Sequence, residues 1–118
     1  MAETEEKRPA KTQWHTICRM DDLDPMWGEA ALVGSKQIAL VRLPGDRVFA
    51  VDHWDPVARA NVIARGIVGS KGGMPTIASP IHKQVYALET GECLSDPEAA
   101  AISTYDVRIT DGQVEVNA

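Results

Sequence analysis

Cysteine is scarce in this chain of 118 residues: there are two, Cys18 and Cys93, far apart in sequence. With no Cys-x-x-Cys pair, a zinc ribbon and a thioredoxin-like redox site are excluded. In a cytoplasmic chain such isolated cysteines are expected to be separate, reduced and largely buried thiols. No apolar run approaches the length of a membrane span. The first residues, Met1-Ala2-Glu3-Thr4-Glu5-Glu6-Lys7-Arg8, lack the apolar core of a signal peptide, which makes a cytoplasmic location the default expectation. The formal charge is −5 and no basic stripe exists, which argues against nucleic acid as a partner, because phosphate binding rests on Lys and Arg. Nor is there a basic amphipathic helix for a membrane surface. Motifs of the common catalytic machineries are missing as well: no Gly-x-Ser-x-Gly, no His-Glu-x-x-His, no Walker-type loop and no dinucleotide glycine pattern.

What is present reads as one soluble domain, with 44% hydrophobic and 25% charged residues. Residues 1–12 are rich in Glu, Lys, Thr and Pro without apolar periodicity and are expected to form a disordered tail. Trp14 to Cys18 alternates well enough for a first strand, although Ile17 blurs the pattern. Gly28 to Val33 and Gln37 to Leu43 flank Gly34-Ser35-Lys36 as a hairpin, and Pro44-Gly45-Asp46 turns the chain into Arg47 to Val51. Trp27, after Pro25, is expected to be partly core. Val57 to Ala64 fits either a short helix or an irregular loop. Gly66, Gly69, Gly72 and Gly73 suggest a mobile connection before the strand at Pro75 to Ala78. Val85 to Leu88 is a further strand, and Ser103 to Ile109 with Gln113 to Val116 closes the domain through an Asp111-Gly112 hairpin. Regular short strands bounded by Gly, Pro and Asp indicate an antiparallel all-β domain, a small sandwich or barrel.

Two segments stand out as loops leaving this scaffold: Asp52-His53-Trp54-Asp55-Pro56-Val57 and Ser79-Pro80-Ile81-His82-Lys83-Gln84. Each contains a proline that a central strand could not accept. Together with Leu88-x-Thr90-Gly91-x-Cys93, their order resembles the cluster-binding part of Rieske-type [2Fe–2S] domains. In those domains one loop carries Cys-x-His and the other Cys-x-x-His, so that one iron has two thiolates and the other two imidazoles. The matching positions here are Asp55, Val57, Ser79 and His82. Only His82 has the ligand type required: valine binds no metal, and aspartate and serine offer hard oxygen in place of sulfur. The loop subdomain 52–94 of the 13–118 domain therefore resembles a Rieske-like scaffold without its cluster.

The chain further resembles the small subunit of assimilatory NAD(P)H-dependent nitrite reductase. The residues that carry this are Trp14…Ile17-Cys18, Gln37-Ile38-Ala39-Leu40, Asp55-Pro56, Arg65-Gly66-Ile67-Val68-Gly69, Ser79-Pro80-Ile81-x-Lys83-Gln84, Leu88-x-Thr90-Gly91-x-Cys93-Leu94-x-Asp96-Pro97 and Tyr105-x-Val107-Arg108. The resemblance implies a non-catalytic subunit of an enzyme that takes nitrite to ammonium, with no cofactor in this chain. FAD, an iron–sulfur cluster and sirohaem are then expected on the large subunit, which is the implied partner. No catalytic residue is expected in this chain alone. A Rieske-type ferredoxin, or a binding module of another oxidoreductase, are the alternatives.

Four residues near the loops are candidates for contact with that partner: Trp54, Arg65, Lys83 and Gln84. Trp54 is either packed beneath its loop or displayed as an interface anchor. Asp55-Pro56 is a turn-initiating pair whose place at a loop tip makes it a surface candidate. His82 is expected to hold its loop in shape. Convergence of the loops would also bring His53, Asp55 and His82 together, the donor set of a mononuclear iron site.

Overall fold

The computed structural model describes residues 13–118; the tail expected at 1–12 lies outside the described residues. Eleven strands follow in chain order: β1 Trp14–Arg19, β2 Trp27–Val33, β3 Lys36–Leu43, β4 Arg47–Asp52, β5 Trp54–Asp55, β6 Ala60–Asn61, β7 Ile67–Lys71, β8 Met74–Ala78, β9 Val85–Ala87, β10 Thr104–Thr110 and β11 Gln113–Asn117. Six of them form one antiparallel sheet in the order β1-β11-β10-β4-β3-β2. The remaining five make a β5-β6 pair and a β7-β8-β9 sheet, both inserted between β4 and β10. The loop subdomain is thus built on its own small sheet.

The run Ile38-Ala39-Leu40-Val41 shows how sequence sets the core. Side chains alternate across a strand, so a strand without polar positions must be covered on both faces. Ile38 and Leu40 join Leu23, Val114 and Val116 in a core within the six-stranded sheet. Ala39, Val41 and Leu43 point the other way, to Ile63, Ile77, Tyr86 and Leu88 of the loop subdomain. β3 therefore fastens the two halves to each other.

One expectation gains its reason and two change. Ile17 blurs the alternation because the β1–β11 register slips between Thr16 and Cys18: one extra residue, a bulge, sets Ile17 and Cys18 both against the core. The glycine-rich stretch is no mobile connection. Ile67–Lys71 pairs along its whole length with Met74–Ala78, and only Gly72-Gly73, both at positive φ, form the turn. Gly66 is there for room, since a Cβ on it would run into the Ala78 carbonyl, whereas at Gly69 a Cβ would make only ordinary contact. Val57 to Ala64 is neither of the two forms expected. It contains the paired strand β6 and then a single 3-10 turn at Ile63–Arg65.

Candidate functional site: two loops tied at a buried carboxylate

The first loop is held by its backbone. The His53 amide donates to the Gln37 carbonyl at 3.1 Å, and its carbonyl accepts from the amides of Val62 and Ile63 at 2.9 and 3.0 Å. Its imidazole is 6% exposed, and Nδ1 accepts the Ala64 N–H at 3.1 Å. That bond requires an unprotonated Nδ1, so the neutral ring carries its proton on Nε2. Burial, and then the Arg65 charge, depress the His53 pKa from its ordinary 6.5.

The sign of the pH effect follows. The unfolded chain takes up a proton at His53 before the folded chain does. His53 therefore contributes stability that is complete above about pH 6.5 and is lost as pH falls through its folded pKa. Melting curves from pH 7 to about pH 5 should show this decline, and His53→Gln, which keeps an acceptor for Ala64, should flatten it. Glu115, depressed by its hydrogen bond from Arg108, acts in a separate window below its ordinary 4.5.

Asp55 is fully buried, contrary to its expected place on the surface. β5 pairs with β6, and the turn between them closes with the Arg59 amide on the Asp55 carbonyl at 2.7 Å. The side chain is thereby turned inward. Oδ1 accepts from the amides of Val57 at 2.9 Å and Ala58 at 3.3 Å, and from the Tyr86 hydroxyl at 3.4 Å. Oδ2 accepts the hydroxyl of Ser79. A buried carboxylate is tolerated where its lone pairs are satisfied in this way, since hydrogen bonds to a charged group are worth ~1.5–3 kcal/mol each. Burial, the Asp55 charge and Cys93 push the Tyr86 phenol well above its usual range, which keeps it a donor.

The second loop closes on the same residue pair. Ser79 N–H donates to the Gln84 carbonyl at 2.8 Å, and its own carbonyl accepts from Lys83 at 3.1 Å. Ser79 Oγ also accepts the Ile81 amide at 3.3 Å. Lys83 holds a positive φ of 63° to complete the turn. His82 and Lys83 stand exposed at its outer edge.

The four positions that resemble cluster ligands are therefore placed very differently. Asp55 and Ser79 meet, but each uses its oxygen on the other. Val57 offers only methyl groups, and His82 is exposed. This donor set does not fit a [2Fe–2S] cluster, which needs paired thiolates and paired imidazoles. The convergence of His53, Asp55 and His82 is not found either. Among the described residues no three His, Cys, Asp or Glu side chains come together as a metal site. The Nδ1 of His53 is taken by Ala64 and the Asp55 carboxylate faces Ser79 and Tyr86, so neither is free to turn toward His82. Cys18 and Cys93 are both free thiols, Cys93 buried.

Of the candidate contact residues, Trp54 is displayed, 45% exposed, and Arg65 and Lys83 are exposed. Gln84 is half-buried, with Oε1 enclosed and without a partner among the described residues. Trp27 is not core: it is 60% exposed, beside Arg65. Tyr86 was legible in principle, because a tyrosine at an inward position of a strand needs a partner for its hydroxyl. Its acceptor, Asp55, is 31 residues away and carries no local signal.

A β scaffold that presents two apposed loops is that of a Rieske-like domain, and the family described as "Rieske-like [2Fe-2S] domain" matches residues 13–117. The nitrite reductase (NADH) small subunit of Salmonella typhimurium is 39% identical over 106 residues, covering 89% of this chain and 97% of that one. The NMR structure of the E. coli protein NirD superposes with a TM-score of 0.81 at 36% identity, covering 90% of this chain and 96% of that one. The chain belongs to the nitrite reductase small-subunit family of Rieske-like domains. The nitrite reductase [NAD(P)H] large subunit of Klebsiella oxytoca also matches, at 38% identity over 104 residues, covering 87% of this chain and 11% of that polypeptide.

Proposed function

We propose that this chain is the non-catalytic small subunit of an NAD(P)H-dependent nitrite reductase and acts by binding the large subunit. FAD, an iron–sulfur cluster and sirohaem reside on that larger partner, where nitrite is taken to ammonium. The observation that carries this reading is the Klebsiella oxytoca match: a domain of this kind occurs inside a polypeptide named as the large subunit. A domain found both as part of a large subunit and as a separate small subunit is suited to stay beside it. The loop end supplies the contact residues Trp54, Arg65, Lys83 and Gln84, three of them exposed. The Asp55 network keeps that end rigid, so little ordering entropy is lost on docking. No membrane is involved in this reading, and no helix among the described residues is long and apolar enough to cross one.

Co-expression with the large subunit encoded in the same organism tests it. The two chains should elute together in size-exclusion chromatography, and NAD(P)H-dependent nitrite reduction should change when the small chain is left out. Separate elution with unchanged activity would refute the proposal.

A further inference from the structure

The Asp55 network leaves one recess unused. Between β2 and the turn after β6 lies a cleft of about 350 Å³ whose walls include Trp27, Glu29, His53 and Arg65. His53 is 6% exposed, and its Nε2–H has no partner among the described residues, Nδ1 being occupied by Ala64. His53 lines the cleft, so an acceptor bound there can take that N–H. Arg65 stands on the same wall, and its charge bears directly on the imidazole. Glu29 is the one anionic and Arg65 the one cationic side chain among the residues lining the cleft. A neutral N–H donor next to a guanidinium selects a carboxylate, which accepts from both.

Trp27, which lines the cleft, is 60% exposed, and two chain neighbours of lining residues, Met26 and Ile67, are 44% and 76% exposed. A donor-bearing cleft with an exposed tryptophan in its wall and further exposed apolar side chains next in sequence suits a protein–protein contact, with an arginine and a tryptophan as its anchors. We propose that this cleft receives an aspartate or glutamate side chain of the large subunit, held by Arg65 and by His53 Nε2–H, with Trp27 and Ile67 covered around it. The inference rests on the docking reading above and gives it a defined contact.

The test uses the full chain and the purified large subunit, with affinity measured by titration calorimetry. Arg65→Glu should weaken binding by ~30-fold or more, as expected for an interfacial arginine hot spot. Trp27→Ala should weaken it by about 10-fold. Lys71→Glu, at the far tip of the β7–β8 hairpin, should stay within about 2-fold of the parent chain. Arg65 is exposed, so its variant should melt with the parent chain, which separates a lost contact from a lost fold. In NMR spectra of the complex the His53 Nε2 proton should move downfield and exchange slowly with water. If the parent chain does not bind the large subunit, the docking reading fails and takes the cleft with it. If the parent chain binds and Arg65→Glu binds equally well, docking stands and the cleft assignment is overturned.

Discussion

Asp55→Ala should lower the stability of the domain by ~3–5 kcal/mol, the range seen when one partner of a buried charged network is removed. The change leaves the Ser79 and Tyr86 hydroxyls and the Val57 and Ala58 amides without their acceptor. Each buried donor left unsatisfied costs ~1–3 kcal/mol, and entry of water recovers part of the sum. In a domain of this size each kcal/mol moves the melting point by ~4–8 °C, so a fall of more than about 12 °C is expected. Ser79→Ala should cost less, ~1–2 kcal/mol, because the carboxylate keeps its other donors. The two changes together should fall short of their sum by more than about 0.5 kcal/mol, since both act on one contact. Urea denaturation of the four proteins checks all of this. A loss below about 1 kcal/mol for Asp55→Ala would show that the network is incidental.

The second large effect is a gain. The combined change Asp55→Cys, Val57→His and Ser79→Cys, with His82 in place, restores the ligand types of a Rieske-type centre at the matching positions. The backbone already brings residues 55 and 79 within hydrogen-bonding reach of each other, as two ligands of one iron require. After reconstitution with iron and sulfide the variant should bind about two irons per chain and become coloured, with visible absorption that bleaches on reduction. A colourless variant that still folds would mean that the loops have diverged beyond the spacing a cluster needs.

How far the residues alone reveal this structure depends on how local the cause is. The all-β class and the Asp111-Gly112 hairpin follow from alternation and turn chemistry, which act over a few residues. The glycines from Gly66 to Gly73 misled because one residue type serves two ends. Gly72 and Gly73 make a turn, whereas Gly66 makes space for a neighbouring strand that sequence does not reveal. Asp55 misled for a similar reason. Asp-Pro is a turn signal, and turns are usually at the surface, but this one is roofed by Ser79 and Tyr86 from distant segments. The match of Asp55, Val57, Ser79 and His82 to cluster-ligand positions comes from the family resemblance alone. The direct contact of Asp55 with Ser79 was not legible, because a hydrogen bond between residues 24 apart leaves no periodic trace.

We propose that the Asp55–Ser79 contact lets such loops persist without metal. In a cluster-bearing domain the metal ties the two loops; here the Asp55 carboxylate of the first loop accepts the Ser79 hydroxyl of the second and the Tyr86 hydroxyl of β9. The scaffold stays rigid, and its outer residues remain available to a partner. Iron and acid-labile sulfide determined on the unaltered chain after reconstitution test this most directly. The account predicts less than about 0.1 iron per chain and an unchanged melting point, because the protein's own hydrogen bonds already tie the loops. About two irons per chain with a raised melting point would contradict it.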